Sequence, residues 1–401
     1  MAASSTRPVH DPRFLRGHPA GAPPLQRPAG AGLLDQVARR AGLELTTAAA
    51  LGVLHRGDEH FAAAVEAIAS ARREVAVEMY QIRPDPIGWA LCSALAAAAQ
   101  RGVVVRLLLD PFGSRRVAGW LTALRSHGVR TRWFNDWRPW RHPLRRTHRK
   151  LIVIDGRLAS IGGVNFAAEF SERHAGEAAW RDVALWLGGA AAWVLRHQFE
   201  LAWRAQGGRP GPPLEVPGAS GVPCAVSGSD SSGSNHGAAY LALARAARRE
   251  LLLATPYFLP GRPLREALVD AARRGVRVVV AVPRNSDLHW FTQGSRRRYQ
   301  RLLDAGVEIW ERCDRMVHAK VGAADGVVAA IGSANLNRLS LDRNSETLLL
   351  TEHPPVVEAV RSLIIHESAR ASERLRPETW PRHPDRRRLA ELASAPMELL
   401  F

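Results

Sequence analysis

The sequence predicts an internally duplicated α/β protein, two mixed or parallel sheets flanked by helices and related by a pseudo-twofold axis. Three observations predict it. Short continuous apolar runs alternate with helix-length segments, the pattern of βαβ units whose strands are covered on both faces. The same succession of runs occurs twice along the 401 residues. Segments dense in proline, glycine and serine flank and separate the two copies.

Residues 1–44 mix proline, glycine, alanine and arginine without sustained periodicity and read as a flexible arm, with a short helix at Leu33–Ala41. The first copy spans 45–205. In it the string ARRE (71–74) leads into VAVEMYQI and then Pro84. A helix-like segment follows, ending at Arg101-Gly102-Val103 before VVRLLLDP, and the next closes at Gly128-Val129. Residues 206–237 read as a linker, where GGRPGPPLEVPGASG and SGSDSSGSNHG enclose one short apolar stretch. The second copy, 238–373, repeats the order: ARRE (247–250), LLLATPYFL, Pro260, Arg274-Gly275-Val276 before RVVVAVP, then Gly306-Val307. Glycine just past each helix matches the left-handed helix stop. The tail, 374–401, reads as an irregular basic segment ending in a short amphipathic stretch.

Composition narrows the function. Cys92, Cys224 and Cys313 are an odd number without C-x-x-C spacing, so neither a disulfide framework nor a cysteine zinc site is expected, and a reducing compartment fits. The longest uncharged apolar runs, 87–99 and 183–195, fall short of the ~20 residues of a spanning helix. The amino terminus, MAASSTRPVHDPRFLRG, has charge and proline where a signal peptide has an apolar core. A cytoplasmic protein is therefore expected. The net charge of +17 points to anionic partners: nucleic acid, an anionic membrane surface or a phosphate-bearing substrate.

Chemistry concentrates in two strings, THRKLIVIDG (147–156) and VHAKVGAADG (317–326), both reading H-x-K-x4-D. Fourteen residues after each histidine stands a glycine, Gly162 or Gly332, and seventeen after it an asparagine, Asn165 or Asn335. One such motif is a weak signal. Two copies with matching offsets in a duplicated chain are a strong one. Moreover, of 55 basic residues only two are lysine, and these are Lys150 and Lys320 in the two motifs. A compact ammonium can point at one phosphate oxygen and share a tight pocket with imidazole, where a planar guanidinium fork is wider.

On a strand, residues two apart face the same way, so each histidine and its lysine point together toward one site. Two imidazoles, two ammoniums and two carboxamides suit a phosphodiester. Lysine and asparagine neutralise the non-bridging oxygens as charge builds up. One neutral imidazole attacks phosphorus, and the other, protonated, hands its proton to the leaving oxygen.

The paired motifs resemble those of the phospholipase D superfamily. More narrowly, LLLDPFGS, THRKLIVIDGRLASIGGVNF, TPYFLPGRPLREAL and VHAKVGAADGVVAAIGSANLNRLSLDRNSE resemble the bacterial cardiolipin synthases, especially the short B type, over roughly residues 45–370. The resemblance implies a phospholipase D-like fold and a ping-pong phosphatidyl transfer without metal or other cofactor. It implies His148 as the nucleophile that forms a phosphohistidine. His318 then protonates the departing glycerol and later takes the proton of the acceptor hydroxyl. Lys150, Lys320, Asn165 and Asn335 hold the phosphoryl oxygens. A carboxylate behind each histidine is also implied, and by position Asp182 and Glu346 are the candidates. Asp155 and Asp325 count with the catalytic motif, although their expected work is to organise loops or pair with basic groups.

Aromatic and basic residues cluster before the first motif, in WFNDWRPWRHPLRRTHRK (133–150), and more briefly at Trp290 and Phe291 before SRRRYQ. This composition fits an interfacial lipid anchor. It equally fits a surface that stacks on single-stranded nucleic acid, or buried tryptophans with solvated arginines. Lipid is preferred over nucleic acid because of the resemblance.

The expected function is that of a peripheral transferase on the cytoplasmic face of the membrane, making cardiolipin and glycerol from two molecules of phosphatidylglycerol. The alternatives are a phospholipase D-type phosphodiesterase or nuclease, and a non-catalytic basic scaffold. With both motifs on one chain, a monomer suffices to complete the site.

Overall fold

The computed structural model describes residues 32–135, 145–230, 233–378 and 380. The expectations for residues 1–31, for Trp137 and Trp140, for the side chain of Trp290 and for the tail beyond 380 lie outside the described residues.

The first copy supplies strands β1 (Leu45–Leu54), β2 (Glu74–Met79), β3 (Val104–Leu109), β4 (Arg130–Trp133), β5 (Lys150–Ile154), β6 (Leu158–Gly162) and β7 (Ala184–Gly188). After β8 (Val222–Asp230) and the short β9 (Gly233–Ser234), the second supplies β10 (Glu250–Ala254), β11 (Arg277–Pro283), β12 (Glu308–Arg312), β13 (Val321–Ala324), β14 (Val328–Gly332), β15 (Thr347–Thr351) and β16 (Ser372–Arg374). They join in the order β16-β12-β11-β10-β13-β14-β15-β8-β1-β7-β6-β5-β2-β3-β4, with β9 on β8.

Both halves are mixed. Strands β2, β3 and β4 run parallel, as do β10, β11 and β12, with helices as crossovers. The motif strands are instead antiparallel hairpins, β5 with β6 and β13 with β14, because their connections are too short for a crossover. The two sheets are not separate. β1 and β8 pair antiparallel at the centre, Leu45 opposite Ala225, and fuse them into one.

Local sequence explains the elements. Every residue of β2 and β5 is buried, as a strand covered on both faces requires. The helix Pro86–Gln100 starts at Asp85, whose carboxylate accepts from the amides of Ile87 and Gly88 at 3.0 Å, and Pro86 occupies the first turn. The glycine stops Gly102 and Gly275 both have φ of 87°, the left-handed value that glycine adopts freely.

Three expectations need correction. The helix Leu33–Ala41 is where the sequence places it, but it is not part of a loose arm: Leu34, Val37, Ala38 and Ala41 are buried in one core with Tyr240 and Leu243 of the second half. Residues 206–237 are more than a linker, since their short apolar stretch is β8, at the middle of the sheet. Nor are the segments around it loose. Arg196 and Arg73 donate to the carbonyls of Pro212 and Pro213 at 2.8 Å, fastening the proline-rich turn to the first half. Finally, Phe134 and Phe291 are buried and Trp133 is half-buried against the core, so these three members of the aromatic clusters pack inward.

Candidate active site

Both motifs sit at the ends of equivalent strands. His148 precedes β5, whose first residue is Lys150, and His318 precedes β13, with Lys320 just before it. All four side chains are buried. The halves meet here through two short parallel bridges, Thr147 with Ser345 and Arg181 with Val317. In the first, the His148 amide donates to the Ser345 carbonyl at 2.8 Å and the Ser345 amide to the Arg146 carbonyl at 2.8 Å. In the second, the His318 amide donates to the Arg181 carbonyl at 2.7 Å and the Arg181 amide to the Met316 carbonyl at 2.8 Å.

These bridges bring each histidine beside a carboxylate of the opposite half. His148 Nδ1 lies 3.0 and 3.1 Å from the Glu346 carboxylate oxygens and 3.1 Å from the Ser333 carbonyl. His318 Nδ1 lies 2.5 Å from Asp182 Oδ2. With the Nδ1 proton donated to the carboxylate, each ring turns Nε2 to the chemistry, and in His318 Lys320 Nζ stands 2.7 Å from Nδ1 and 3.1 Å from Nε2.

The surroundings of the two carboxylates differ. Ser333 Oγ donates to Glu346 at 2.5 Å. Its counterpart at the same motif offset is Gly163, where a Cβ would stand 2.3 Å from Asp182 Oδ1. The change from GGVN to GSAN is thus matched to Asp182 and Glu346. Gly162 and Gly332 answer a shared need: a Cβ would stand 2.2 Å from the Val183 carbonyl oxygen in one and 2.1 Å from the Thr347 oxygen in the other.

Burial sets the charges. It pushes the His148 imidazole down to about 4, with Glu346 opposing and Lys150 adding to the fall. His318 is held well below the usual histidine range by burial and then by Lys320, Lys150 and His148. Lys150 is lowered strongly by burial and by Lys320, and burial brings Lys320 to about 8. Asp182 is pushed up to about 7 by burial. Burial would raise Glu346 as well, but His148, Lys150 and Ser333 together keep it below its ordinary value. Two lysines in one buried site, with Lys320 depressing Lys150, call for negative charge, which a phosphodiester supplies.

Asn165 and Asn335 are also buried, and in each the Oδ1 atom has no hydrogen-bond partner among the described residues. Asp155 and Asp325 stand apart. Each lies at the far end of its motif strand, in an Asp-Gly turn with φ of 51° and 56°. The Asp155 carboxylate accepts from the amides of Arg72, Arg73 and Glu74 at 2.8–3.0 Å, and Asp325 from those of Arg248, Arg249 and Glu250 at 2.7–3.0 Å. The repeated ARRE strings are the backbone partners of these two carboxylates, so neither aspartate stands in the cluster of histidines and lysines.

Several residues at the site escape sequence reasoning. The Tyr80 ring meets His148 edge-on at 4.7 Å and lies 4.9 Å from Lys150 Nζ. Phe170 and Trp180 flank His318, each at 5.2 Å. Thr147 is fixed by Asp110, which accepts from its amide at 3.0 Å, and by Glu78, which accepts from its hydroxyl at 2.5 Å. Only Ser333 carried a signal, the serine-for-glycine difference between the motif repeats.

The family model described as "Cardiolipin synthase, PLD-like domain" matches residues 64–181 and 240–366, the stretches that carry both motifs and both bridges. The chain belongs to this family. Cardiolipin synthase B of Escherichia coli K12 is 34% identical over 311 residues, covering 73% of this chain and 74% of that one. Cardiolipin synthase B of Salmonella typhi is 32% identical over 349 residues, covering 82% and 84%. A cardiolipin synthase of a Geobacillus strain is 32% identical over 336 residues, and the match covers 80% of this chain and 66% of the relative. The crystal structure of a phosphatidylserine synthase from Haemophilus influenzae superposes with a TM-score of 0.70 at 13% identity, over 92% of this chain and 98% of that one, which shows the shared fold. No helix among the described residues is long and apolar enough to cross a membrane.

Proposed function

We propose that the protein is a phosphatidyltransferase that makes cardiolipin and glycerol from two molecules of phosphatidylglycerol at an anionic membrane surface. The observation that carries the reading is the crossed pairing, His148 with Glu346 and His318 with Asp182, around the only two lysines of the chain. Relatives named cardiolipin synthase over most of the chain support it.

In the first step His148 Nε2 attacks phosphorus, a P–N bond forms and the P–O bond to glycerol breaks. His318 gives its Nε2 proton to the departing oxygen. His148 becomes cationic as it attacks, and Glu346, held ionised, stabilises that charge. Lys150 and Lys320 face the non-bridging oxygens. Once the asparagine amides rotate, Asn165 and Asn335 donate N–H to the same oxygens. The bound phosphodiester anion offsets the lysine charges that depress His318, so the ring can hold the proton it must donate. In the second step His318 takes the proton of the acceptor hydroxyl, that oxygen attacks phosphorus, and the P–N bond breaks.

The test is to incubate the protein with phosphatidylglycerol vesicles and resolve lipid products by mass spectrometry while assaying glycerol. Cardiolipin with equimolar glycerol is expected. Phosphatidic acid in place of cardiolipin would assign hydrolysis, and no lipid product with cleavage of DNA would assign a nuclease.

A further inference from the structure

A cavity of about 1180 Å³ opens on the second half. Its walls come from the helices His236–Ala246, Arg262–Arg273 and Tyr299–Asp304 and the turn Leu339–Arg343. It begins where the chain leaves the site: Leu259 pairs with Asn337, two residues beyond Asn335, and Arg338 follows on the cavity wall. The lining is divided. Leu241, Leu259, Leu264 and Leu341 give it an apolar side, while seven arginines and two aspartates give it a cationic one. Both aspartates are engaged, Asp304 by Gln300 Nε2 at 2.7 Å and Asp342 by Arg338 at 3.8 Å. Arg262 and Arg297 have no acidic partner among the described residues and are exposed.

The first half, built on the same plan, carries different side chains at the corresponding place. Counted back from Arg101-Gly102-Val103 and Arg274-Gly275-Val276, Trp89 corresponds to Arg262. Counted back from Gly128-Val129 and Gly306-Val307, Trp120 corresponds to Arg298. Trp89 and Trp120 pack edge to face at 5.5 Å, whereas Arg262 and Arg298 line open space. The first-half helix also begins earlier, with 15 residues against 12, so that Pro86, Ile87 and Gly88 form an added turn just ahead of Trp89. One copy therefore sets a tryptophan pair, with Trp89 still largely exposed, where the other sets arginines.

We propose that this cavity binds an anionic phospholipid, its phosphate against Arg262 and Arg297 and an acyl chain along Leu241, Leu259 and Leu264. The inference rests on the transferase reading and extends it. A reaction joining two lipids needs a place for the second, and the Leu259–Asn337 bridge joins the segment that carries Asn335 to this cavity's wall. An acyl chain on leucines and a phosphate on arginines match its two-sided lining, which a free phosphate would use by half.

The experiment measures binding where no turnover occurs, in His148→Ala, by calorimetry with monomeric dihexanoyl phosphatidylglycerol and separately with inorganic phosphate. Adding Arg262→Ala and Arg297→Ala is expected to remove one of two lipid equivalents or weaken it by at least about tenfold. Unchanged stoichiometry and affinity would overturn the proposal. So would inorganic phosphate binding as tightly as the lipid, which would assign a plain anion site. On the wild-type background the double substitution should leave cleavage of the acyl-free bis(p-nitrophenyl) phosphate within about twofold, showing an intact fold and reaction centre. A larger loss would place these arginines in the reaction centre and overturn the proposal. Absence of cardiolipin from the wild-type reaction would instead sink the transferase reading, and the calorimetry would still decide the cavity.

Discussion

Glu346 grips His148 across 198 positions of sequence, its carboxylate 3.0 Å from Nδ1, while Asp182 in the first half grips His318 of the second at 2.5 Å. Each half thus supplies a histidine for its own motif and a carboxylate for the other. The two fused sheets and the two main-chain bridges hold this exchange in place. Among the described residues, neither histidine has a carboxylate at Nδ1 from its own half.

The two carboxylates should separate by substrate. Glu346→Gln leaves the charge on attacking His148 without support, and kcat should fall about 10²–10⁴-fold on both phosphatidylglycerol and a p-nitrophenyl phosphodiester. Asp182→Asn impairs proton donation, so the p-nitrophenyl substrate, whose leaving group departs without a proton, should keep most of its rate in the first step. Equal losses on both substrates for both variants would contradict the division of roles.

Gly163→Ser copies the second motif into the first, yet its Cβ would meet Asp182 at 2.3 Å. We expect activity to drop by about tenfold or more through displacement of the His318 partner. The reverse exchange, Ser333→Gly, removes one hydrogen bond to Glu346 and should cost about 1–2 kcal/mol of transition-state stabilisation. Steady-state kinetics of both variants measures the difference.

Asp155→Asn and Asp325→Asn keep the left-handed turns, which asparagine tolerates, but lose the charge that receives three successive amides. Stability should fall by ~2–3 kcal/mol each, read from urea midpoints, while kcat of the folded protein stays near the wild-type value. A collapse of kcat with stability unchanged would return these aspartates to the chemistry.

Lys150→Arg puts a guanidinium where a buried ammonium lies 4.9 Å from the Tyr80 ring and donates to the His148 carbonyl at 2.7 Å. The loss should exceed about a hundredfold in kcat. Full retention of rate would remove the reason for lysine in a chain otherwise built with arginine.

His60 gives a pH signature. It is buried among Phe61, Phe166 and Trp186, accepts from the Trp186 indole N–H at 3.3 Å, and burial pushes its imidazole down to about 4. Its folded value lies below the unfolded one, about 6.5. The stability it contributes is therefore present above pH about 6.5 and is lost as pH falls from there through about 4. Urea midpoints across this range should decline less steeply in His60→Gln than in the wild type.

The sequence made the duplication and both motifs nameable, because each leaves a periodic trace: matching offsets, repeated ARRE strings and glycine stops. The carboxylates leave none, since Asp182 stands 34 residues after His148 and Glu346 only 28 after His318, and they were nameable through the family resemblance. The crossing was beyond its reach. Spacing places Asp182 only 34 residues from His148, and nothing in that spacing says which half it faces. β8 was hidden because turn-rich segments on either side outweigh a short apolar stretch. The inward packing of Phe134 and Phe291 was hidden for another reason, since aromatic residues beside arginines have the same composition whether they face lipid or core. Tyr80, Phe170 and Trp180 come from loops and strand ends outside the motifs, and only the closed sheet brings them to the histidines.

The central claim is that His148 carries the covalent intermediate. Rapid acid-free quenching of a reaction with phosphate-labelled phosphatidylglycerol, followed by digestion and peptide mapping, tests it most directly. The account predicts label on the peptide containing His148, sensitive to acid, absent from His148→Ala and reduced in Glu346→Gln. Label on the His318 peptide, or full turnover by His148→Ala, would contradict it.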